Sequence, residues 1–136
     1  MAITKTERQI KFASANFISV TAGGNATSDV IAPADDEIST TVTFKADNSG
    51  VPVAGDTVDI YLMRTAGDPD ADPDSADEYP DASHVELLCT LDTDASDPAV
   101  QTVTFNSMCE GYKIYAENNG ASAITVSGSG HGWDME

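Results

Sequence analysis

Apolar and polar residues alternate along most of this chain with a period of two, the pattern of strands that bury one face. In the clearest run, residues 38–46, every second residue is apolar or threonine and the residues between them are polar or charged. The pattern predicts seven or eight short strands. Further runs occupy residues 58–62, 85–91, 103–105, 112–116 and 124–126, with weaker ones at 10–12, at 17–21 and near Val30.

Turn-forming residues separate these runs. Gly23-Gly24-Asn25 ends an early run, and Asn118-Asn119-Gly120 stands between two later ones. Asn-Gly between alternating segments predicts a hairpin, because both central residues must accept positive φ. No amphipathic helix of three turns is evident. The sequence therefore predicts an all-β chain that folds as a single antiparallel β-sandwich, either immunoglobulin-like or jelly-roll-like.

Two segments depart from the alternation. Residues 1–11 contain three bases against one acid, whereas residues 67–83 contain seven acids and three prolines and predict a long solvated loop. We expect that deleting residues 1–11 would leave the sandwich folded. The predicted organisation is an extended N-terminal arm at 1–11, a β-sandwich domain at 12–128 with its acidic loop at 67–83, and a C-terminal tail at 129–136.

The charge balance limits the partners of this chain. Its 136 residues suit one domain, and 23 acids against 6 Lys and Arg residues give a formal net charge of -17. Phosphate binding needs Lys and Arg, so a nucleic-acid partner is not expected. No run of 18 apolar residues is present, so no membrane span is expected either. The basic arm predicts contacts to a protein partner through Lys5, Arg8, Lys11 and Phe12.

The acidic loop offers one candidate metal site. Aspartates at alternating positions, which are Asp68, Asp70, Asp72 and Asp74, resemble the first ligands of a calcium-binding loop. Counting from Asp68, the sixth position is proline rather than the required glycine, and the twelfth is tyrosine rather than glutamate. Two interpretations stay open, a solvated acidic loop and a weak Ca²⁺ site. No other cofactor is expected.

Residues with catalytic chemistry are few. The chain has two cysteines, Cys89 and Cys109, whose pairing the sequence leaves open, and two histidines, His84 and His131. No Gly-x-Ser-x-Gly elbow is present, and no acid lies in an evident apolar segment that would raise its pKa. An enzyme is therefore not expected. Trp133 and the four tyrosines could form either a sugar-binding face or part of the core.

Three segments, residues 20–31, 55–62 and 111–126, resemble small β-rich structural proteins of tailed bacteriophages, in particular head decoration (capsid cement) proteins. The resemblance implies a non-enzymatic virion protein that binds the outer capsid shell and stabilises it. It also implies a homo-oligomer, with a trimer favoured, and a major capsid protein or another virion protein as partner. Such a protein is made in the host cytoplasm and resides on the capsid surface.

Two alternatives to capsid decoration remain. One is another phage structural role, in the tail or the head–tail connector, which would form rings rather than trimers. The other is a calcium- or glycan-binding adhesion module, which predicts calcium-dependent stability and an exposed aromatic cluster.

Overall fold

The computed structural model describes residues 2–70, 74, 78–80, 84 and 86–135. All regular structure in these residues is β-strand, and no helix that could cross a membrane is found among them. The all-β prediction is thus confirmed. The strands are β1 (Ile3–Gln9), β2 (Phe17–Val20), β3 (Asn25–Thr27), β4 (Glu37–Asn48), β5 (Thr57–Thr65), β6 (Leu87–Asp92), β7 (Ala99–Asn106), β8 (Gly111–Asn118) and β9 (Ile124–Met135).

The strands form two antiparallel sheets that pack face to face. Sheet 1 has the order β1-β9-β4-β7, and β2 also pairs with β9, beyond the end of β1. Sheet 2 has the order β3-β8-β5-β6. The predicted antiparallel β-sandwich is confirmed.

Strand pairing is nested along the chain. Along the sequence, the paired strands β5 and β6 lie between the paired strands β4 and β7. These lie between β3 and β8, which pair with each other, and all of them lie between β2 and β9. β1, which precedes β2, also pairs with β9. The chain is therefore one long antiparallel ribbon that rolls into two sheets, with the acidic loop at its tip. This is the arrangement of a jelly roll, which resolves the choice that the sequence left open.

The core follows the predicted alternation closely. Val42, Phe44, Val58, Ile60 and Ile114 are at most 1% exposed and point between the sheets. Leu87 is an exception at 54% exposure, although its position in the alternation matches that of the buried Cys89. The register of β5 against β6 shifts between Ile60 and Tyr61, and this bulge turns Leu87 outward.

Both ends of the chain differ from the predicted organisation. Residues 3–9, expected as a separate arm, form β1 and pair with β9 along their whole length. Ile10 is fully buried, and its amide donates to the Gly128 carbonyl at 2.9 Å. Residues 129–135, expected as a tail, complete β9 in the interior of sheet 1. Deleting residues 1–11 would therefore remove an edge strand and a core side chain.

The chain leaves the edge of sheet 1 briefly between β1 and β2. Phe12 and Ala15 form an isolated bridge around Ala13 and Ser14, which both have positive φ. The Asp29 carboxylate accepts hydrogen bonds from the amides of Ala13 and Ser14 at 3.0 and 2.8 Å. This turn directs Phe12 into the core, where it is 3% exposed.

The predicted hairpin at Asn118-Asn119-Gly120 is instead a connection between the two sheets. β8 belongs to sheet 2 and β9 to sheet 1, so the strands on either side of this turn do not pair. Asn118 is 2% exposed, and its Nδ2 donates to the carbonyls of Val20 and Ser122 at 3.1 and 2.9 Å. Its Oδ1 accepts from the Gly120 amide at 2.9 Å. These bonds hold the chain in a corner.

Candidate functional site

The outward side of sheet 1, here called the open face, carries mostly hydroxyl-bearing side chains. Thr41 and Thr104 share a hydrogen bond of 2.8 Å across β4 and β7, and Thr43 and Thr102 share one of 2.7 Å. Ser127, Ser129, His131 and Trp133 supply the outward positions of β9, because the residues between them face inward. The open face is thus a polar surface braced by cross-strand hydroxyl pairs.

A shallow depression of about 640 Å³ lies on the open face, between β1, β9 and β4. Trp133 lines it, and its Nε1 donates to the Thr41 hydroxyl at 3.0 Å. The His131 ring lies 6.1 Å from the Trp133 ring and tilts toward it by 39°. Glu7 and Gln9 line the depression from the β1 side. An aromatic ring, hydroxyls, an amide and a carboxylate therefore share one concavity.

The strand positions of the open face balance positive and negative charge, unlike the protein as a whole. Lys5 and Glu7 are outward on β1, and Lys45 and Asp47 are outward on β4. The whole chain carries a formal charge of -17. Most of the negative potential therefore originates elsewhere on the molecule.

The outward side of sheet 2, here called the covered face, contacts Tyr79 of the acidic loop and His84, which follows the loop. The His84 ring lies 4.7 Å from Tyr61 and 5.2 Å from Tyr115, and its Nε2 contacts the Glu117 carboxylate. The Lys113 ammonium lies 4.4 Å from the centre of the Tyr79 ring. Tyr79 and His84 thus lie against sheet 2, whereas Asp74 and Glu78 of the loop are exposed.

A buried polar cluster lies beneath the open face. Arg8 pairs with Glu37, whose side chain is 0% exposed, and the Arg8 side chain itself is 12% exposed. Ser107 and Thr40 donate hydroxyl hydrogen bonds to the same Glu37 carboxylate at 2.8 and 3.1 Å. Burial raises the pKa of the neighbouring Tyr112. The cluster fixes β1 to the sandwich.

The four predicted partner-contact residues have different positions in the structure. Lys5 is exposed on the open face, and Lys11 is half-buried and donates to Asn16 Oδ1. Arg8 is committed to Glu37, and Phe12 belongs to the hydrophobic core. Phe12 and Arg8 are therefore corrected from partner contacts to structural residues. The sequence could not show this, since the turn that buries Phe12 depends on Asp29 from a distant segment.

The predicted calcium ligands are only partly within the described chain. Asp68 accepts a hydrogen bond from the Asp70 amide at 2.9 Å, and Asp72 lies outside the described residues. In the part of the chain that the structure describes, no group of three or more His, Cys, Asp or Glu side chains is placed to hold a metal. The calcium site stays a prediction.

Both cysteines are free thiols. Burial, reinforced by the Asp59 carboxylate, raises the pKa of Cys89 from 9.0 to about 11. Partial burial also raises the pKa of Cys109, although the Arg64 charge opposes that shift. Because the thiolate is the reactive form, neither side chain is poised as a nucleophile at neutral pH.

The depression on the open face was missed by the sequence analysis. Ser127, Ser129, His131 and Trp133 do alternate with period two, which was the available signal. The intervening Gly128, Gly130 and Gly132 made the segment resemble a flexible tail. In the structure these glycines occupy the inward positions of β9, where a larger residue would clash with β4 or its side chains.

Comparison with known proteins gives similarity of fold only. No family profile matches the chain, and no curated protein matches its sequence. The mitogen of Yersinia pseudotuberculosis is 7% identical with a TM-score of 0.44, over 95% of this chain and 84% of that one. A capsid chain of Helicobacter pylori bacteriophage KHP30 is 14% identical with a TM-score of 0.42, over 95% of this chain and 93% of the phage chain. A family 16 carbohydrate-binding module is 10% identical with a TM-score of 0.39, over 86% of this chain and 74% of the module's chain.

These likenesses describe a shared arrangement of strands and carry nothing about ligand or partner. The fold and the surface define the class of this protein as an all-β jelly roll with one open and one covered sheet face.

Proposed function

We propose that this protein is a non-enzymatic structural protein of a virion, a capsid decoration protein that binds the outer shell through its open face and stabilises it. The observation that supports this proposal is the balanced charge of the open face on a chain of formal charge -17. An acidic protein partner that approaches this face meets less repulsion than it would over the rest of the surface, where acids are in excess.

The remaining features fit the same orientation. With the open face against the shell, the covered face and the exposed loop acids Asp70, Asp74 and Glu78 point to solvent, where negative charge favours solubility and keeps particles apart. Hydrogen-bonded threonine pairs across β4 and β7 give a rigid contact surface. Many copies on one lattice convert weak individual contacts into stable decoration of the shell.

Reversing a charge on the open face tests the proposal. Shells prepared without this protein are mixed with purified Lys45→Glu or with the matched variant Lys113→Glu, which makes the same charge change on the covered face. We expect Lys45→Glu to weaken shell binding about tenfold, because it places a negative charge against an acidic partner surface. Lys113→Glu should bind like the wild type. Occupancy on the shells, measured by electron cryomicroscopy or by co-sedimentation, is the readout.

Either of two results would contradict the proposal. Equal weakening by both variants would show that net charge, and not the open face, governs binding. Absence of the protein from purified particles of the virus that encodes it would remove the virion role altogether.

Trp133 favours a second candidate function, binding of a neutral oligosaccharide in the depression. An aromatic ring beside hydroxyl, amide and carboxylate groups suits the apolar face and hydroxyls of a sugar. Trp133 is the sole tryptophan of the chain, so its fluorescence reports directly on this site. Titration with a panel of neutral oligosaccharides should change the emission of the wild type, and the change should saturate as the depression fills. Unchanged wild-type emission up to millimolar sugar would reject this function.

A further inference from the structure

The free edge of sheet 1 points to an interaction with a second copy of this chain. We propose that β1 pairs antiparallel with β1 of another copy about a two-fold axis through Thr6. This pairing joins sheet 1 of both copies into one continuous sheet, with the two open faces on the same side. The inference concerns the edge of the sheet and does not rest on the proposed capsid role.

The first observation is that β1 has one hydrogen-bonded neighbour among the described strands. It pairs with β9 on one side and is the end of the strand order of sheet 1. The Ile10 amide donates to the Gly128 carbonyl, so the amides of even-numbered residues in β1 face β9. The amides and carbonyls of Ile3, Lys5, Glu7 and Gln9 consequently point to the free edge.

The second observation is the order of charges along this edge. A two-fold antiparallel pairing that keeps outward residues opposite outward residues must be centred on a residue of β1. Centring on Lys5 opposes two lysines, and centring on Glu7 opposes two glutamates. Centring on Thr6 places Lys5 of each copy opposite Glu7 of the other, and Ile3 opposite Gln9. Pairing of opposite charges across the two strands thus favours the register centred on Thr6.

The backbone geometry agrees with this register. In an antiparallel pair, directly opposed residues whose amides face the partner exchange two hydrogen bonds. With the axis at Thr6, these residues are the odd-numbered ones, whose amides and carbonyls face away from β9; of these, the Glu7 carbonyl also accepts a long hydrogen bond of 3.4 Å from Arg8 Nη1. Ile3 is 71% exposed in the single chain, and the pairing covers part of its side chain. Lysine commonly protects a free edge by repulsion, but here the lysine has a matching glutamate two residues later.

Two charge reversals test the interface by complementation. The Lys5→Glu chain presents only acids at these two positions, and the Glu7→Lys chain presents only bases. We expect the wild type to form dimers and each variant alone to self-associate at least about tenfold more weakly, because both cross-strand pairs become repulsive. An equimolar mixture of the two variants should restore dimers, since each acid then faces a lysine. The double variant K5E/E7K should self-associate like the wild type.

The readout is molar mass from sedimentation equilibrium at about 0.1 mM chain, where weak interfaces are populated. Circular dichroism of each variant confirms that it is folded. A wild type that is monomeric at this concentration overturns the inference, and so does a mixture of variants that stays monomeric. A trimer whose mass neither reversal changes also overturns it, and would agree with the symmetry implied by the phage resemblance. Loss of shell binding in Lys45→Glu is a separate result, because Lys45 lies on β4.

Discussion

Replacing Arg8 with alanine should lower the free energy of unfolding by about 3–5 kcal/mol, because it leaves the Glu37 carboxylate buried without its counter-charge. The Glu37 side chain is 0% exposed, so in the folded protein its charge is balanced by the guanidinium and not by solvent. Ser107 and Thr40 still donate hydrogen bonds to the carboxylate, but neither carries a positive charge. Denaturant unfolding followed by circular dichroism measures the change.

The control for this experiment lies on the same strand. Lys5→Ala removes a base from the exposed side of β1, and we expect it to change the unfolding free energy of the monomer by less than about 0.5 kcal/mol. Both measurements are made at low protein concentration, so that association does not contribute. An Arg8→Ala variant as stable as Lys5→Ala would show that the ion pair does not hold β1 in place.

A double substitution separates the ion pair from the packing around it. Replacing Arg8 and Glu37 together with methionine removes both charges and fills a similar volume. Buried ion pairs exchanged for apolar residues are often neutral in stability, so we expect the double variant to recover most of the loss. No recovery would show that refilling the volume does not replace the bonds that Glu37 accepts from Arg8, Ser107 and Thr40.

The alternation of residue types predicted most of the strands and most of the core, but not β1 or the second half of β9. Val42, Phe44, Ile60 and Ile114 are buried as their positions require, because a half-buried strand must place every second residue inward. The alternation is local information, and it contains nothing about which strands pair. The closing of sheet 1 joins the two ends of the chain, β1 and β9, and no local signal in either end specifies that pairing.

The turn signals were less informative than the alternation. Asn119-Gly120 suits a hairpin, yet the buried Asn118 carboxamide bonds to the carbonyls of Val20 and Ser122 and turns the chain into the other sheet. Side-chain bonds to distant backbone groups override the local preference here. The same reason explains Phe12, whose burial depends on Asp29 closing the turn after it.

The candidate site was predictable only in part. Lys5 and Arg8 lie in the same charged segment, but Lys5 is exposed, whereas Arg8 forms an ion pair with the buried Glu37. The sequence alone does not show whether a charged residue pairs with a buried residue of opposite charge. The depression around Trp133 needed the pairing of β9 with both β1 and β4, which only the three-dimensional structure supplies.

Replacing Gly130 with alanine should destabilise the fold by at least about 3 kcal/mol, the upper range for overpacking. Gly130 faces inward on β9, opposite Val42 of β4. A Cβ added there would overlap the Thr41 carbonyl oxygen and lie 2.8 Å from both the Thr41 carbonyl carbon and the Val42 Cα. All of these atoms are backbone, so no side-chain rotation relieves the clash. Thermal and denaturant unfolding provide the measurement.

Ser129→Ala is the matched control, because it alters the neighbouring residue on the outward side of the same strand. It should change stability by less than about 0.5 kcal/mol, as a surface substitution away from the core does. If Gly130→Ala were as stable as this control, β9 would have to sit farther from β4 than the structure shows, and the floor of the depression beside Trp133 would be differently shaped. If Gly130→Ala is strongly destabilised, the glycines of this segment are required by close strand packing, and the segment is the central strand of sheet 1 rather than a tail.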